Sequence, residues 1–332
     1  MNTELAIFAS DLSVGYSSRT VAQNLQLHLK KGSLTCLLGA NGCGKSTILK
    51  TLSGNLRPLH GKIELLGKEL KSYHSSDLAR TISIVSGLPD LSRIMTVYEL
   101  VALGRTPYLS WTGKLEQADR TLIEEAMRMV DVEPWKNRSV QQLSDGERQR
   151  AMIARALAQD TEIILLDEPT AHLDLFNRMS LLYLLSDLAK KKNKGILVIT
   201  HELELALKLA DQVWLLDSAG KLSEGSPEDL ILNGVLQQTF KSPGLAFDHS
   251  SGAFTFSKQP SSEISVEGSG KAFIWTKRAM KRVGCKIVPS AKIRLKIVEE
   301  KNISWIVDHE GQSHYAKTIE EVILQLSALK IL

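Results

Sequence analysis

The chain has 332 residues, 43% apolar and 23% charged, with a net charge of +4. That balance suits a folded protein of one large domain plus a small one, or two domains, and excludes a disordered or fibrous chain. No apolar stretch approaches the roughly 20 residues of a membrane span, and the start MNTELAIFASDLSVGY, with early acids and no basic n-region, is not expected to be a signal peptide.

In chain order, Leu5–Tyr16 and Val21–Leu29 read as antiparallel strands. The apolar run Leu34–Leu38 then leads into Gly39 to Thr47, Gly-Ala-Asn-Gly-Cys-Gly-Lys-Ser-Thr, which fills every fixed position of the P-loop pattern G-x-x-x-x-G-K-[ST]. Gly39, Gly42 and Gly44 permit tight turns that aim several N–H groups at one anion. A helix beginning near Lys45 adds its positive N-terminal end. Lys45 is expected against the β- and γ-phosphates of a nucleoside triphosphate, and the Ser46 hydroxyl on Mg²⁺. Asn41, Cys43 and Thr47 belong to the same nucleotide-binding loop. Gly61–Leu65 reads as another antiparallel strand.

Further on, strand-like runs at Ile82–Val85, Ile163–Leu166, Gly195–Thr200 and Gln212–Leu216 alternate with helical patterns at Leu115–Val130, Glu147–Ala158 and Leu175–Lys192. Such alternation predicts a mostly parallel sheet covered on both faces. Within it, Leu143-Ser144-Asp145-Gly146-Glu147 opens a long helix and offers a second anion-binding helix N-terminus, unless Ser144 is a plain N-cap. Ile163–Leu166 is a buried strand that delivers Asp167 at its C-terminal end, where open α/β sheets bind ligands. Asp167 is expected to hold Mg²⁺ through water, and Glu168 to polarise an attacking water.

Around Phe240–Ser269 the texture turns to Ser, Gly, Pro and Lys, as in a linker with two short strands. Beyond it, Ala272–Trp275 reads as a strand, with Thr276 capping a short helix that ends at Gly284. Lys292–Glu299 and Ile303–Asp308 read as a hairpin around Lys301-Asn302. Thr318 and Glu321 form a capping box for a last helix. From Lys271 to Leu332 twelve Lys and Arg face six Asp and Glu, a net of +6, which leaves −2 on the first 270 residues. A basic tail suits an anionic neighbour, lipid headgroups or nucleic acid, or simply a solvated face. Cys36, Cys43 and Cys285 form neither a metal-ligand pair nor a disulfide framework, and the eight histidines are scattered.

Taken together these motifs resemble the ATP-binding subunit of ATP-binding cassette (ABC) transporters. Leu143–Glu147 looks like that family's signature LSGGQ, with Asp145 for the second Gly and Glu147 for Gln. Ala171-His172-Leu173-Asp174 looks like its D-loop, His201 like its switch histidine, and Tyr16 like the aromatic that stacks on adenine. The resemblance covers about residues 5–230 and implies a fold: an α/β P-loop NTPase cassette, with a mixed sheet, an antiparallel β subdomain and a helical subdomain, here followed by a small C-terminal α/β domain. The expected boundaries are 1–240 for the cassette, 241–270 for a linker and 271–332 for the basic domain. It also implies a head-to-tail homodimer in which Ser144 and Gly146 of one copy meet the γ-phosphate on the other's P-loop, while His201 orients the water. The family's Gln after the strand Ile82–Val85 is missing, since that place reads Ser86-Gly87. Met95 to Tyr108 is similar to T-V-x-E-x-V-x-x-G-R-x-P of the iron-siderophore, haem and cobalamin importers, and Tyr108 and Trp111 would meet a permease. Two permease subunits, and indirectly a periplasmic or lipoprotein substrate-binding protein, are the implied partners, at the cytoplasmic face of the inner membrane. A soluble ABC-type ATPase on nucleic acid or ribosomes is the rival; it usually has two cassettes or a coiled-coil insertion, and this chain has neither. A cassette that binds ATP without turnover is a third reading, opposed by Glu168 and His201.

Overall fold

The computed structural model describes residues 4–17, 19–86, 95–171, 173–242, 244–248, 252–256, 262–299, 302–329 and 331. Two compact units divide the chain, residues 1–242 with 247–253 and residues 243–246 with 254–332.

The first unit begins with β1 (Leu5–Tyr16) and β2 (Arg19–Lys30), antiparallel as their alternation predicts. β3 (Ser33–Gly39) is buried along its whole length and ends in the loop before α1 (Lys45–Leu52). β4 (His60–Leu65) and the short β5 (Lys68–Glu69) complete a four-stranded antiparallel sheet in the order β2-β1-β4-β5. After α2 (Ser75–Thr81) comes β6 (Ile82–Val85). The helices α3 (Val97–Ala102), α4 (Gln117–Met129) and α5 (Asp145–Ala158) then pack on one another. β7 (Ile163–Asp167), α6 (Leu175–Lys192), β8 (Gly195–Ile199), α7 (Leu203–Leu209), β9 (Gln212–Leu216), β10 (Leu222–Gly225), α8 (Pro227–Leu232) and α9 (Val235–Thr239) finish the unit.

The second sheet runs β10-β9-β3-β8-β7-β6, parallel except for the edge strand β10. β3, β7 and β8 are continuous apolar runs because both of their faces are covered. One core, including Leu12, Leu27, Leu37, Leu165 and Trp214, is shared by the two sheets. Register sets the site: Leu37 and Asp167 both stand opposite Ile199, so the C-terminal ends of β3, β7 and β8 are level.

The helical layer explains the stretch Thr96–Pro107 structurally. Thr96 and Glu99 form the capping box of α3. A Cβ on Gly104 would stand 2.2 Å from the Arg155 carbonyl oxygen, so only glycine lets the chain cross α5 there. Arg105 is buried; its Nε donates to Asp119 Oδ1 at 2.8 Å and its Nη1 to the Ala158 carbonyl at 2.9 Å. Tyr108, expected as a free surface contact, lies half-buried with the Arg105 guanidinium 3.9 Å from its ring centre, whereas Trp111 is fully exposed.

After α9 in sequence come β11 (Leu245–Asp248) and β12 (Ala253–Phe256), a two-stranded ribbon. The second unit has β13 (Ser262–Glu267), α10 (Gly270–Arg282), β14 (Cys285–Ile287), β15 (Ile293–Glu299), β16 (Ile303–His309), β17 (Gln312–Ala316) and α11 (Ile319–Ala328), with the sheet order β14-β13-β15-β16-β17. The β15–β16 hairpin forms as read. Three readings are corrected. The segment taken as linker contributes β13, at the middle of the strand order's parallel part. Ala272–Trp275 is helical: Ala272, Thr276, Ala279 and Met280 make one buried stripe at helical spacing, which outweighs the local strand-like run. Thr276 is therefore no cap but a mid-helix residue, donating to the Ala272 carbonyl at 2.7 Å and accepting from Trp305 Nε1 at 2.8 Å. Thr318 caps α11 as expected, accepting from the Glu321 N–H at 3.1 Å, but the Glu321 carboxylate accepts from Lys317 N, one residue before the box position.

Candidate nucleotide site

The loop from Gly39 to Thr47 depends on glycine at two points. Gly44 caps α1 at φ 112°, and a Cβ there would lie 2.1 Å from Val21 Cγ1. A Cβ on Gly39 would lie 2.3 Å from the Leu216 carbonyl oxygen. The chain thus turns against β2 and β9 with no room for side chains, and the first N–H groups of α1 have no partner within the helix.

Lys45 is buried, and its Nζ donates to the carbonyls of Gly39 and Ala40 at 2.9 and 3.0 Å. The ammonium is thereby held over the loop itself. Ser46 Oγ donates to Asp167 Oδ1 at 3.2 Å, from the first turn of α1 across to the end of β7. Burial pushes the Asp167 carboxyl up, and the neighbouring Glu168 charge adds to that, against the Ser46 hydrogen bond and the charges of Lys50 and Lys45. A half-buried carboxylate and a half-buried hydroxyl side by side form a hard oxygen donor pair.

Glu168 follows with φ 50°, its N–H bonded to the Ile199 carbonyl at 3.0 Å. This left-handed backbone turns its carboxylate across the neighbouring strand, where Oε1 meets His201 Nε2 at 2.7 Å. Both side chains are over 40% exposed, at 43% and 42%, so the pair contributes little to stability and orients two groups instead. Asn41, Gly42, Gly44, Lys45, Ser46 and Thr47 share one cavity of about 460 Å³ with Glu168 and His201.

The remaining expected residues lie elsewhere. Cys43 is half-buried beside Gly39, with burial raising its thiol. Tyr16 is 49% exposed at the end of β1, opposite Arg19. Ser144 and Gly146 line a second cavity of about 380 Å³ with Trp135, Arg150 and Asn177. There Ser144 caps α5, in a capping box with Glu147. Trp135 and Arg150 were not singled out by any motif; only Arg150's place three residues beyond the signature, under one helical turn, hinted at it. Ser86 is exposed after β6, while Gly87 and His172 lie outside the described residues.

A P-loop, a strand ending in Asp167 with Glu168 next, a histidine two residues past the adjacent strand and a capped Ser-x-Gly helix start define an ATP-binding cassette. Residues 22–171 match the family described as ABC transporter, and residues 261–327 match the iron ABC transporter C-terminal domain. The chain is 37% identical to the achromobactin transport ATP-binding protein CbrD of Dickeya dadantii, over 71% of this chain and 87% of that one. It is 36% identical to the iron(3+)-hydroxamate import ATP-binding protein FhuC of Bacillus subtilis, over 71% and 88%. A solved metal-chelate type ABC transporter in an inward-facing conformation superposes with a TM-score of 0.64 at 30% identity, over 76% of this chain and 95% of that one. The chain belongs to the ATP-binding subunits of ABC transporters, and it is an ATPase of that family. Among the described residues no helix is long and apolar enough to cross a membrane.

Proposed function

We propose that the chain is the motor subunit of an importer for iron held in a siderophore, with haem or cobalamin as neighbouring cargo classes. The reading rests on one arrangement: Lys45, the Ser46–Asp167 pair and the Glu168–His201 pair, all at the level ends of three adjacent strands. The names of the similar import proteins and the iron-transporter match over 261–327 support the cargo.

The loop fits a nucleoside triphosphate, because Gly39 and Gly44 leave no room for side chains and the loop presents main-chain N–H groups. The Ser46 hydroxyl and Asp167, the latter through water, would hold Mg²⁺, which supplies charge neutralisation at the phosphates when bound. Lys45 binds the β- and γ-phosphates as a point charge. Glu168 accepts the proton of the attacking water, and His201 holds Glu168 Oε1 and the water in line. Tyr16 stacks on adenine, and Asn41, Gly42, Cys43 and Thr47 frame the phosphates. Ser144 and Gly146 line a different cavity from the P-loop, so they serve a nucleotide only on a second copy. The functional unit is then a head-to-tail homodimer, docked peripherally on two permease subunits at the cytoplasmic face of the inner membrane and fed by a substrate-binding protein on the far side.

The test is copurification of the chain with a polytopic permease, followed by ATP-dependent uptake of radiolabelled ferric siderophore into vesicles carrying both. Uptake that persists without this chain, or a complex that moves no iron chelate, haem or cobalamin, defeats the reading.

A further inference from the structure

The second unit carries a surface that the ATPase reading leaves unused. α10 has the sequence GKAFIWTKRAMKR, with five basic residues and no acid. Ala272, Thr276, Ala279 and Met280 pack on the sheet of its own unit. Lys271, Ile274, Trp275, Arg278, Lys281 and Arg282 stand exposed at i, i+3, i+4, i+7, i+10 and i+11, a single stripe on the opposite side. Ile274 is 65% and Trp275 55% exposed, and the Arg278 guanidinium lies 5.0 Å from the Trp275 ring centre. The Glu299 carboxylate lies beside the start of the helix, at Gly270.

From this stripe we infer that α10 is a docking face for an anionic lipid surface. The chemistry selects among partners. A second copy of the face would bring two runs of positive charge together. Nucleic acid phosphates would use the basic residues, and a base would stack on the indole, but Ile274 would stay in water. A membrane surface uses all of it: cationic groups against acidic headgroups, the indole at the interface, and the aliphatic side chain at the acyl boundary. The inference takes from the proposed function only that the chain works beside a membrane.

The test uses the full chain and vesicles of phosphatidylcholine with or without phosphatidylglycerol, separated by flotation. The protein is expected to partition onto the anionic vesicles and to leave them as salt is raised. Arg278→Glu/Lys281→Glu/Arg282→Glu should weaken partitioning by about tenfold or more. Trp275→Ala should weaken it by about threefold while keeping the salt dependence. Lys62→Glu/Lys192→Glu/Lys208→Glu, the same charge change on exposed positions of the first unit, should leave it within about twofold. Millimolar inorganic phosphate should not compete, because a single small anion cannot replace a surface. Equal binding to neutral vesicles, indifference to the α10 variants, competition by free phosphate, or tighter binding of the face to duplex DNA or RNA would each overturn the inference. All of these variants keep the ATPase site, so a loss of ATP turnover or of permease capture in the wild type would instead count against the importer reading.

Discussion

Replacing Glu168 by Gln removes one charge and one proton acceptor while leaving the shape of the site intact. The left-handed turn at Glu168 is held by its backbone bond to Ile199, which does not depend on the side chain. An amide of the same size can still meet His201 Nε2, now 2.7 Å from the carboxylate. What is lost is acceptance of the water proton, for which a positioned base contributes about 10²–10⁴-fold. That corresponds to about 2.7–5.4 kcal/mol of barrier. ATP affinity should stay within about threefold, since the loop N–H groups and Lys45 are untouched. His201→Ala should cost about 10²-fold by releasing the carboxylate and the water from their line. Because the two act through one contact, the double variant should be little slower than the worse single one. Steady-state phosphate release at saturating ATP reads the rates, and size exclusion with ATP reads accumulation of the dimer in Glu168→Gln. Retention of more than about a tenth of the wild-type rate in Glu168→Gln lies outside the general-base range and would refute the assignment. Fully additive losses would show that Glu168 and His201 do not work as a pair.

Gly44→Ala places a methyl 2.1 Å from Val21 Cγ1 at a φ of 112°, and should lower ATP affinity by about tenfold or more, with Val21→Ala restoring only part because the backbone strain remains; nucleotide titration reads both. Asp119→Ala breaks an ion pair whose side chains are 7% and 11% exposed, and should cost about 3–5 kcal/mol in thermal unfolding. The Arg105 and Glu116 hydrogen bonds hold the Asp119 carboxyl below the ordinary carboxylate range when folded. Its stabilisation is therefore complete above the unfolded value of about 3.9 and fades as pH falls through the lower folded value, so the gap between wild type and variant should close only in strong acid. Trp305→Phe removes the bond from Nε1 to Thr276 and should cost about 1 kcal/mol in unfolding with no change in ATP turnover.

The legible part of the fold was the part whose signals are local. β6, β9 and α6 have the bounds read from their periodicity, and the strands that carry the site are continuous apolar runs bounded by Gly or Asp. The P-loop announces itself because phosphate binding demands glycine at fixed offsets. The second unit was less legible, since its short amphipathic elements compete with one another. Ala272–Trp275 is strand-like over four residues and helical only when read with Thr276, Ala279 and Met280. β13 hid inside a Ser-rich stretch because Ile264 and Val266 are its only large apolar residues, and it gains its place from pairing with β14 and β15. Trp135 and Arg150 at the signature cavity were illegible for another reason: they are brought together where the turn after α4 meets α5, and no spacing encodes that.

The signature segment departs from its family pattern at Asp145 and Glu147, and the structure absorbs both acids locally. Glu147 Oε2 accepts from the Ser144 N–H at 2.8 Å, and Asp145 lies 3.3 Å from Arg148 Nη1. Gly146 between them has no such account. Its φ is not positive, and a Cβ there would meet the Asn177 and Leu173 side chains at ordinary contact distances of 3.5 and 3.7 Å. Among the described residues nothing requires glycine there, in contrast to Gly39, Gly44 and Gly104. A partner that presses on the main chain does require it, and the proposed dimer supplies one. Gly146→Ala should therefore leave the isolated chain as stable or more so, by up to about 1 kcal/mol, because alanine suits a helix. It should leave ATP affinity of the monomer unchanged, since the P-loop cavity is elsewhere. ATP-driven dimerisation and turnover should both fall by about tenfold or more, as expected when a methyl group separates a main-chain N–H from a phosphate. Unfolding curves, monomer nucleotide titration and size exclusion with ATP in the Glu168→Gln background separate these effects. Undiminished dimerisation in Gly146→Ala would mean that the helix start at Ser144 faces no second nucleotide, and the trans assignment of Ser144 and Gly146 would fall with it.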